Sequence, residues 1–198
     1  MSRIATPATI AASPAAAQRS LEGVQKQLGS VPNLFRIVAN SPAALEGYLG
    51  LNAALSKGRI DGPTRERLAV AVAELNGCEY CLSAHAYLGK NLAKLDDAEL
   101  RRNQEGSSSD AKAAAALLFA TKLVRARGHV TDADVLAVKR AGYDDAQVVE
   151  IVAHVALNTL TNYVNSALGT ELDFPKVSPL GASVEERAGA AAAPAAVS

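Results

Sequence analysis

Apolar residues recur three and four apart along nearly the whole chain, and the residues between the runs are those that begin and end helices. QRSLEGVQKQLG predicts a first helix, stopped at Gly29, and VPNLFRIVANSP a short second one. Ser41 then caps a helix that starts at Pro42 and carries AALEGYLGLNAALSKG. Proline suits that place, because its missing N–H would have no partner there. Asp61 and Pro63 repeat the signal ahead of PTRERLAVAVAELNG, with Gly77 as the stop. A further helix runs from about Cys78 to Lys90, and Asp96 opens a minor one. NQEGSSSD reads as a loop before the alanine-rich AKAAAALLFATKLVRARG. Thr131 and Asp132 open a short helix, and GYDD leads into the longest, DDAQVVEIVAHVALNTLTNYVNSALG. This last segment is apolar on most of its circumference, which predicts burial in the domain, in an oligomer, or both. No alternating run of β-branched residues is bounded by turn signals, and no repeat of 20–50 residues stands out. The expected class is all-α.

Composition sharpens this picture. A length of 198 residues suits one domain with tails. Both ends are rich in alanine, proline and serine, so residues 1–16 and 176–198 are expected to be disordered, with residues 17–175 as the folded body. Hydrophobic residues make up 49% but aromatics only 4%, so the core must be built from small and branched aliphatics, which favours close-packed helices. Lysine plus arginine equals aspartate plus glutamate, 20 each, which argues against nucleic acid as a partner. No window reaches the roughly 18 apolar residues of a membrane span, and prolines interrupt the start of the chain where a signal peptide would lie. The expected location is the cytoplasm. Thiols stay reduced there, so a C-x-x-C pair points to redox chemistry or metal, not to a structural staple.

Both cysteines fall in NGCEYCLSAH, residues 76–85, with one of the three histidines. At about 100° per residue, Cys81 is about 60° from Cys78 and His85 about 40° from Cys81. All three therefore share one helix face, and an i, i+3 pair has Cα atoms roughly 5–6 Å apart, within disulfide range. The residues form a dithiol with a base beside it. Only about 3% of an ordinary thiol is ionised at pH 7. The helix N-terminus would raise that fraction at Cys78, and the imidazole would raise it at Cys81. A histidine base also needs a third group to hold its tautomer. The preceding helix offers Glu66 and Glu74, and periodicity does not choose between them.

GPTRERLAVAVAELNGCEYCLSAHAYLGK resembles the carboxymuconolactone decarboxylase-like superfamily, specifically its AhpD-like alkylhydroperoxidase branch. The similarity extends to SVPNLFRIVANSPAALEGYLGLNAAL upstream and EIVAHVALNTLTNYVNSALGTELDFP downstream. Its specific element is a glutamate, eleven intervening residues, C-x-x-C, and a histidine four residues after the second cysteine, matched by Glu66, Cys78, Cys81 and His85. The resemblance implies that Cys81 attacks a hydroperoxide and that Cys78 resolves the sulfenic acid to a disulfide. It makes Glu66 and His85 the proton relay. It also implies an external dithiol reductant, which in the family can be a lipoyl group on a partner protein. The implied fold is compact and all-helical, assembled as trimers or hexamers, with no bound cofactor or metal. One departure stands out: family members often carry a second histidine just before the second cysteine, where this chain has Tyr80. Tyrosine is a poor base at neutral pH but can donate a hydrogen bond, so Tyr80 is a supporting candidate.

Other readings stay beside this one. Cys78 and Cys81 could be small buried hydrophobes, or with His85, and Glu66 as the fourth ligand, could hold zinc. Glu66 could simply pair with Arg65 or Arg67. The chain could be a general thiol–disulfide oxidoreductase, a decarboxylase of the same superfamily, or a redox-responsive assembly protein. His154, Asn158, Asn162 and Asn165 form a polar stripe on the last helix, expected to be a hydrogen-bonded network in the core or between subunits more than a wall of the active site. His129 is expected in solvent, and LVRAR is a basic helix end, not a nucleic-acid patch.

Overall fold

A computed structural model describes residues 2–181. Among these residues there are nine α-helices and no strand: α1 Ala15–Leu28, α2 Asn33–Val38, α3 Pro42–Leu55, α4 Gly62–Leu75, α5 Glu79–Asn91, α6 Asp97–Gln104, α7 Ala111–Arg125, α8 Asp132–Arg140 and α9 Asp145–Leu168. Cap chemistry sets most of the boundaries. Ser41, Asp61, Asp96, Asp110, Thr131 and Asp144 each accept from a backbone N–H in the first turn of the helix that follows, and Thr131 and Asp144 form full capping boxes. Gly29 and Gly169 end α1 and α9 in the left-handed conformation. One boundary differs from the sequence reading: Asn103 and Gln104 belong to α6, not to the loop after it. The Asn103 amide, fully buried, donates to Glu99 one turn back and holds that turn helical.

The helix buried on most sides is α4. Leu68, Ala69, Val70, Ala71, Val72 and Ala73 are all nearly inaccessible. The alternation of valine with alanine explains this, since a methyl group lets neighbouring helices approach while valine fills the grooves between them. Val70 and Ala73 face a cluster built with α1, α2, α3 and the start of α5. Leu68, Ala71 and Val72 face a second cluster built with α7, α8 and α9. Burying each valine or leucine contributes about 1.5–3 kcal/mol relative to exposure. By contrast, α9 leaves Val149, Val152, Leu160 and Tyr163 exposed on its outer side. Among the described residues no helix is long and apolar enough to cross a membrane.

Parts of both segments expected to be disordered lie against the body. The Arg3 backbone N–H donates to Leu168 at 2.7 Å, and its guanidinium donates to the carbonyls of Ser166 and Ala167. These are orphan acceptors at the C-terminus of α9, where a cation is favoured. At the other end, Val177 exchanges hydrogen bonds with Ser83 of α5, and the Leu180 N–H donates to Glu74. The rest of the expected tail, 182–198, lies outside the described residues.

Candidate active site

The turn between α4 and α5 builds the site. Gly77 adopts a φ of 63°, its N–H donates to Glu74 and the Cys78 N–H donates to Ala73. This paired closure satisfies the Ala73 and Glu74 carbonyls at the end of α4 and needs a residue that tolerates the left-handed region. It delivers Cys78 directly to the N-cap of α5, one position earlier than the sequence places it within the helix. The sulfur takes the capping role itself: Cys78 Sγ accepts from the Cys81 N–H at 3.2 Å. Cys78 and Cys81 are joined as a disulfide with Cα atoms 5.4 Å apart, as the i, i+3 spacing predicts, and both are buried.

His85 follows one turn later on the same helix, half-buried like its partner on α4. Its Nδ1 lies 2.9 Å from Oε2 of Glu66. A carboxylate only accepts, so Nδ1 carries the hydrogen and Nε2 is the free lone pair. The other partners considered for Glu66 are engaged elsewhere. Arg67 binds Glu99 at 2.9 Å, and Arg65 donates to the carbonyls of Ser56 and Ile60. Glu74 accepts from Gln104 and from the Leu180 N–H, so it faces α6 and the C-terminal segment. Of the two glutamates the helix offered, the one that meets the imidazole is Glu66.

Residues 42–122, which contain all four of these side chains, match the carboxymuconolactone decarboxylase family. The crystal structure of an alkylhydroperoxidase AhpD core, an uncharacterized peroxidase-related protein from Ralstonia eutropha JMP134, superposes with a TM-score of 0.78 at 26% identity, covering 87% of this chain and 92% of that one. A peroxidase-related protein from Silicibacter sp. TM1040 gives 0.75 at 26% identity, over 86% and 91% of the two chains. The match over residues 42–122 and the shared fold support a place in the carboxymuconolactone decarboxylase-like superfamily, in its AhpD-like branch. An uncharacterized protein of Haemophilus influenzae is 48% identical over 46 residues, which is 23% of this chain and 41% of that protein, so the match spans less than half of the relative's length.

In this AhpD-like chain Tyr80 is engaged in the frame. Its hydroxyl accepts from the Leu34 N–H at 3.1 Å, beside the Asn33 N–H that donates to Asp173 at 2.7 Å. Pro32 gives α2 no side-chain cap, so these two distant groups satisfy its first donors instead. The ring meets Phe174 edge-on at 5.8 Å. Burial pushes the phenol far above the ordinary tyrosine value, and the nearby Asp173 charge pushes the same way, against the Leu34 hydrogen bond. Tyr48, on α3, is likewise pushed up to about 12 by burial and by the charge of Glu66.

The polar stripe on α9 divides. Asn158 donates to the His154 carbonyl, and Asn162 accepts from Asn76 at the end of α4. Asn165, however, donates from Nδ2 to Sγ of Cys81 at 3.1 Å. The stripe was visible in the sequence, but its contact with sulfur was not. Burial pushes His154 down to about 4, and Arg65 adds to this while Glu150 and Glu66 oppose it. His129 is exposed. Among the described residues no group of three or more His, Cys, Asp or Glu is arranged to hold a metal ion. A hollow of about 600 Å³ lies elsewhere around α5, lined by Leu82, Tyr87, Leu100 and Val177 among others and by neither cysteine nor His85.

Proposed function

We propose that this AhpD-like chain is a thiol-dependent hydroperoxide reductase with Cys81 as the attacking sulfur. The reading rests on one observation: His85, one turn after Cys81 on the helix that carries both sulfurs, is held at Nδ1 by Glu66 2.9 Å away, which leaves Nε2 to take a proton. In the reduced protein His85 takes the Cys81 proton, and Glu66 supports the resulting imidazolium. The thiolate attacks the terminal oxygen of the hydroperoxide. An S–O bond forms, the O–O bond breaks, and the departing alkoxide takes the proton back from His85 as an alcohol. Cys78 then attacks the sulfenic sulfur, water leaves, and the disulfide closes. An external dithiol, such as a lipoyl group on a partner protein, restores both thiols by exchange and becomes a disulfide itself. The setting is the reducing cytoplasm, and the exposed apolar side of α9 fits a trimer or hexamer.

A second reading, thiol–disulfide exchange with little peroxidase turnover, is favoured by Tyr80. Its phenol is bonded to Leu34 and far from ionising, which leaves the relay a single histidine. The deciding experiment supplies a dihydrolipoyl peptide and follows both tert-butyl hydroperoxide and a model disulfide. Hydroperoxide consumption lost in Cys81→Ser supports the first reading, and disulfide reduction alone supports the second. Lactone-acid decarboxylation that survives both cysteine substitutions would sink both. So would a change of oligomer size on oxidation with no turnover at all.

A further inference from the structure

Asn165 reaches the site from α9, 84 residues beyond Cys81 in the chain. Its side chain is 3% exposed, its Nδ2 donates to Sγ of Cys81, and its buried Oδ1 has no hydrogen-bond partner. Buried amide oxygens ordinarily have one. Asn162, one turn earlier, is tied to Asn76 at 2.8 Å, which fixes this stretch of α9 against the corner between α4 and α5. The unsatisfied acceptor is thus held in place beside the sulfur.

Resting on the thiol chemistry above, we propose that Asn165 is a catalytic residue with two functions. Its Nδ2 holds negative charge on Cys81, and its Oδ1 receives the O–H of the hydroperoxide's terminal oxygen. An amide presents a donor and an acceptor side by side, while a thiolate only accepts and a hydroperoxide carries one O–H. When sulfur attacks, two electrons pass from sulfur into the O–O bond, which breaks. The terminal oxygen keeps its hydrogen and becomes the S–O–H of the sulfenic acid. One acceptor therefore serves the substrate before the step and the product after it. The preferred substrates are hydroperoxides with a free O–H, and dialkyl peroxides are excluded. The amide also distinguishes the two sulfurs, because Cys78 takes its hydrogen bond from the α5 backbone instead.

The test measures iodoacetamide alkylation against pH for Cys81 in C78S and for Cys78 in C81S, each with and without N165A. A hydrogen bond to a charged acceptor corresponds to about one pKa unit or more. N165A is therefore expected to raise the Cys81 pKa by about one unit and leave Cys78 unmoved. Above both pKa values, dimedone capture of the sulfenic acid formed with tert-butyl hydroperoxide is expected to slow about tenfold in C78S/N165A, from loss of the acceptor. An unchanged Cys81 pKa in a folded N165A protein overturns the proposal, as do equal shifts at both cysteines. If N165A does not fold, N165S takes its place, and a Cys81 pKa of about 8.5 or higher with Asn165 intact overturns it too. If the pKa shift appears but wild-type protein consumes no hydroperoxide, the donor function stands and the peroxidase reading falls.

Discussion

Nδ1 of His85 and Oε2 of Glu66 stand 2.9 Å apart across the tight hairpin that joins α4 to α5. The pair forms because the turn at Gly77 folds the two helices back along one another. Gly89, one turn beyond His85, leaves room for Leu100 and Leu95, since a Cβ built there would lie 3.1 and 3.4 Å from their side chains. With the carboxylate accepting, the imidazole has one tautomer available and one nitrogen left to move a proton.

Glu66→Gln keeps the size but can present an N–H in place of a lone pair, which releases the tautomer. Hydroperoxide reduction is expected to fall about 100-fold, within the range of a lost acid–base group or its support. Steady-state kcat/KM with a dithiol reductant checks this, with far-UV circular dichroism as the folding control.

The two cysteines should fail differently. Cys81→Ser is expected to remove the reaction, whereas Cys78→Ser should consume about one equivalent of hydroperoxide and stop as a dimedone-reactive sulfenic acid. Single-turnover stoichiometry and mass spectrometry distinguish the cases. A burst in Cys81→Ser instead would reverse the assignment of the two sulfurs.

Tyr80→Phe removes the acceptor for the Leu34 N–H and leaves that buried donor alone. The expected cost is about 1–2 kcal/mol of stability, measured by urea unfolding. The reaction rate should change by less than about twofold, because the phenol is engaged with α2 and not with the sulfurs.

His154 makes stability depend on pH. Unfolded, it takes a proton near 6.5. Folded, burial holds it down to about 4. Between these values the unfolded chain binds more protons, so its contribution is complete above about pH 6.5 and falls as the pH drops toward 4. The expected loss is on the order of 2 kcal/mol. Urea midpoints at pH 7, 5.5 and 4.5 should show it, and His154→Gln should flatten that part of the profile.

Glu99 gathers Arg67, Asn103, Ser108 and Ser109 around one buried carboxylate. Burial opposes its ionisation, but the Ser108, Ser109 and Asn103 hydrogen bonds outweigh this and hold the carboxyl well below the usual range. Glu99→Ala leaves the partly buried Arg67 without its partner and is expected to cost about 3 kcal/mol. It also frees Arg67 to compete for Glu66, so thermal unfolding and activity should fall together.

Helix starts at Ser41, Asp61, Asp96, Thr131 and Asp144 were legible because a cap bonds a backbone group only two or three residues away. The extra turn at Asn103 and Gln104 was not legible, since turn-forming composition there is overruled by a buried amide–carboxylate bond. Tyr80 read as a weak substitute for a relay histidine. It is bonded instead to Leu34, 46 residues earlier, a pairing no local pattern announces. In the same way, the segment around Arg3 looked too poor in apolar residues to be held, yet the open carbonyls at the end of α9 hold it.

Spacing along one helix was enough to put Cys78, Cys81 and His85 on a common face, because backbone hydrogen bonds impose the same rotation per residue wherever the helix lies. The choice of Glu66 over Glu74, and of Asn165 as the amide at the sulfur, was made by how α4, α5 and α9 rotate and approach one another. Those quantities depend on the summed packing of alanine, valine and leucine on every face of α4, and no single stretch of the chain contains that sum.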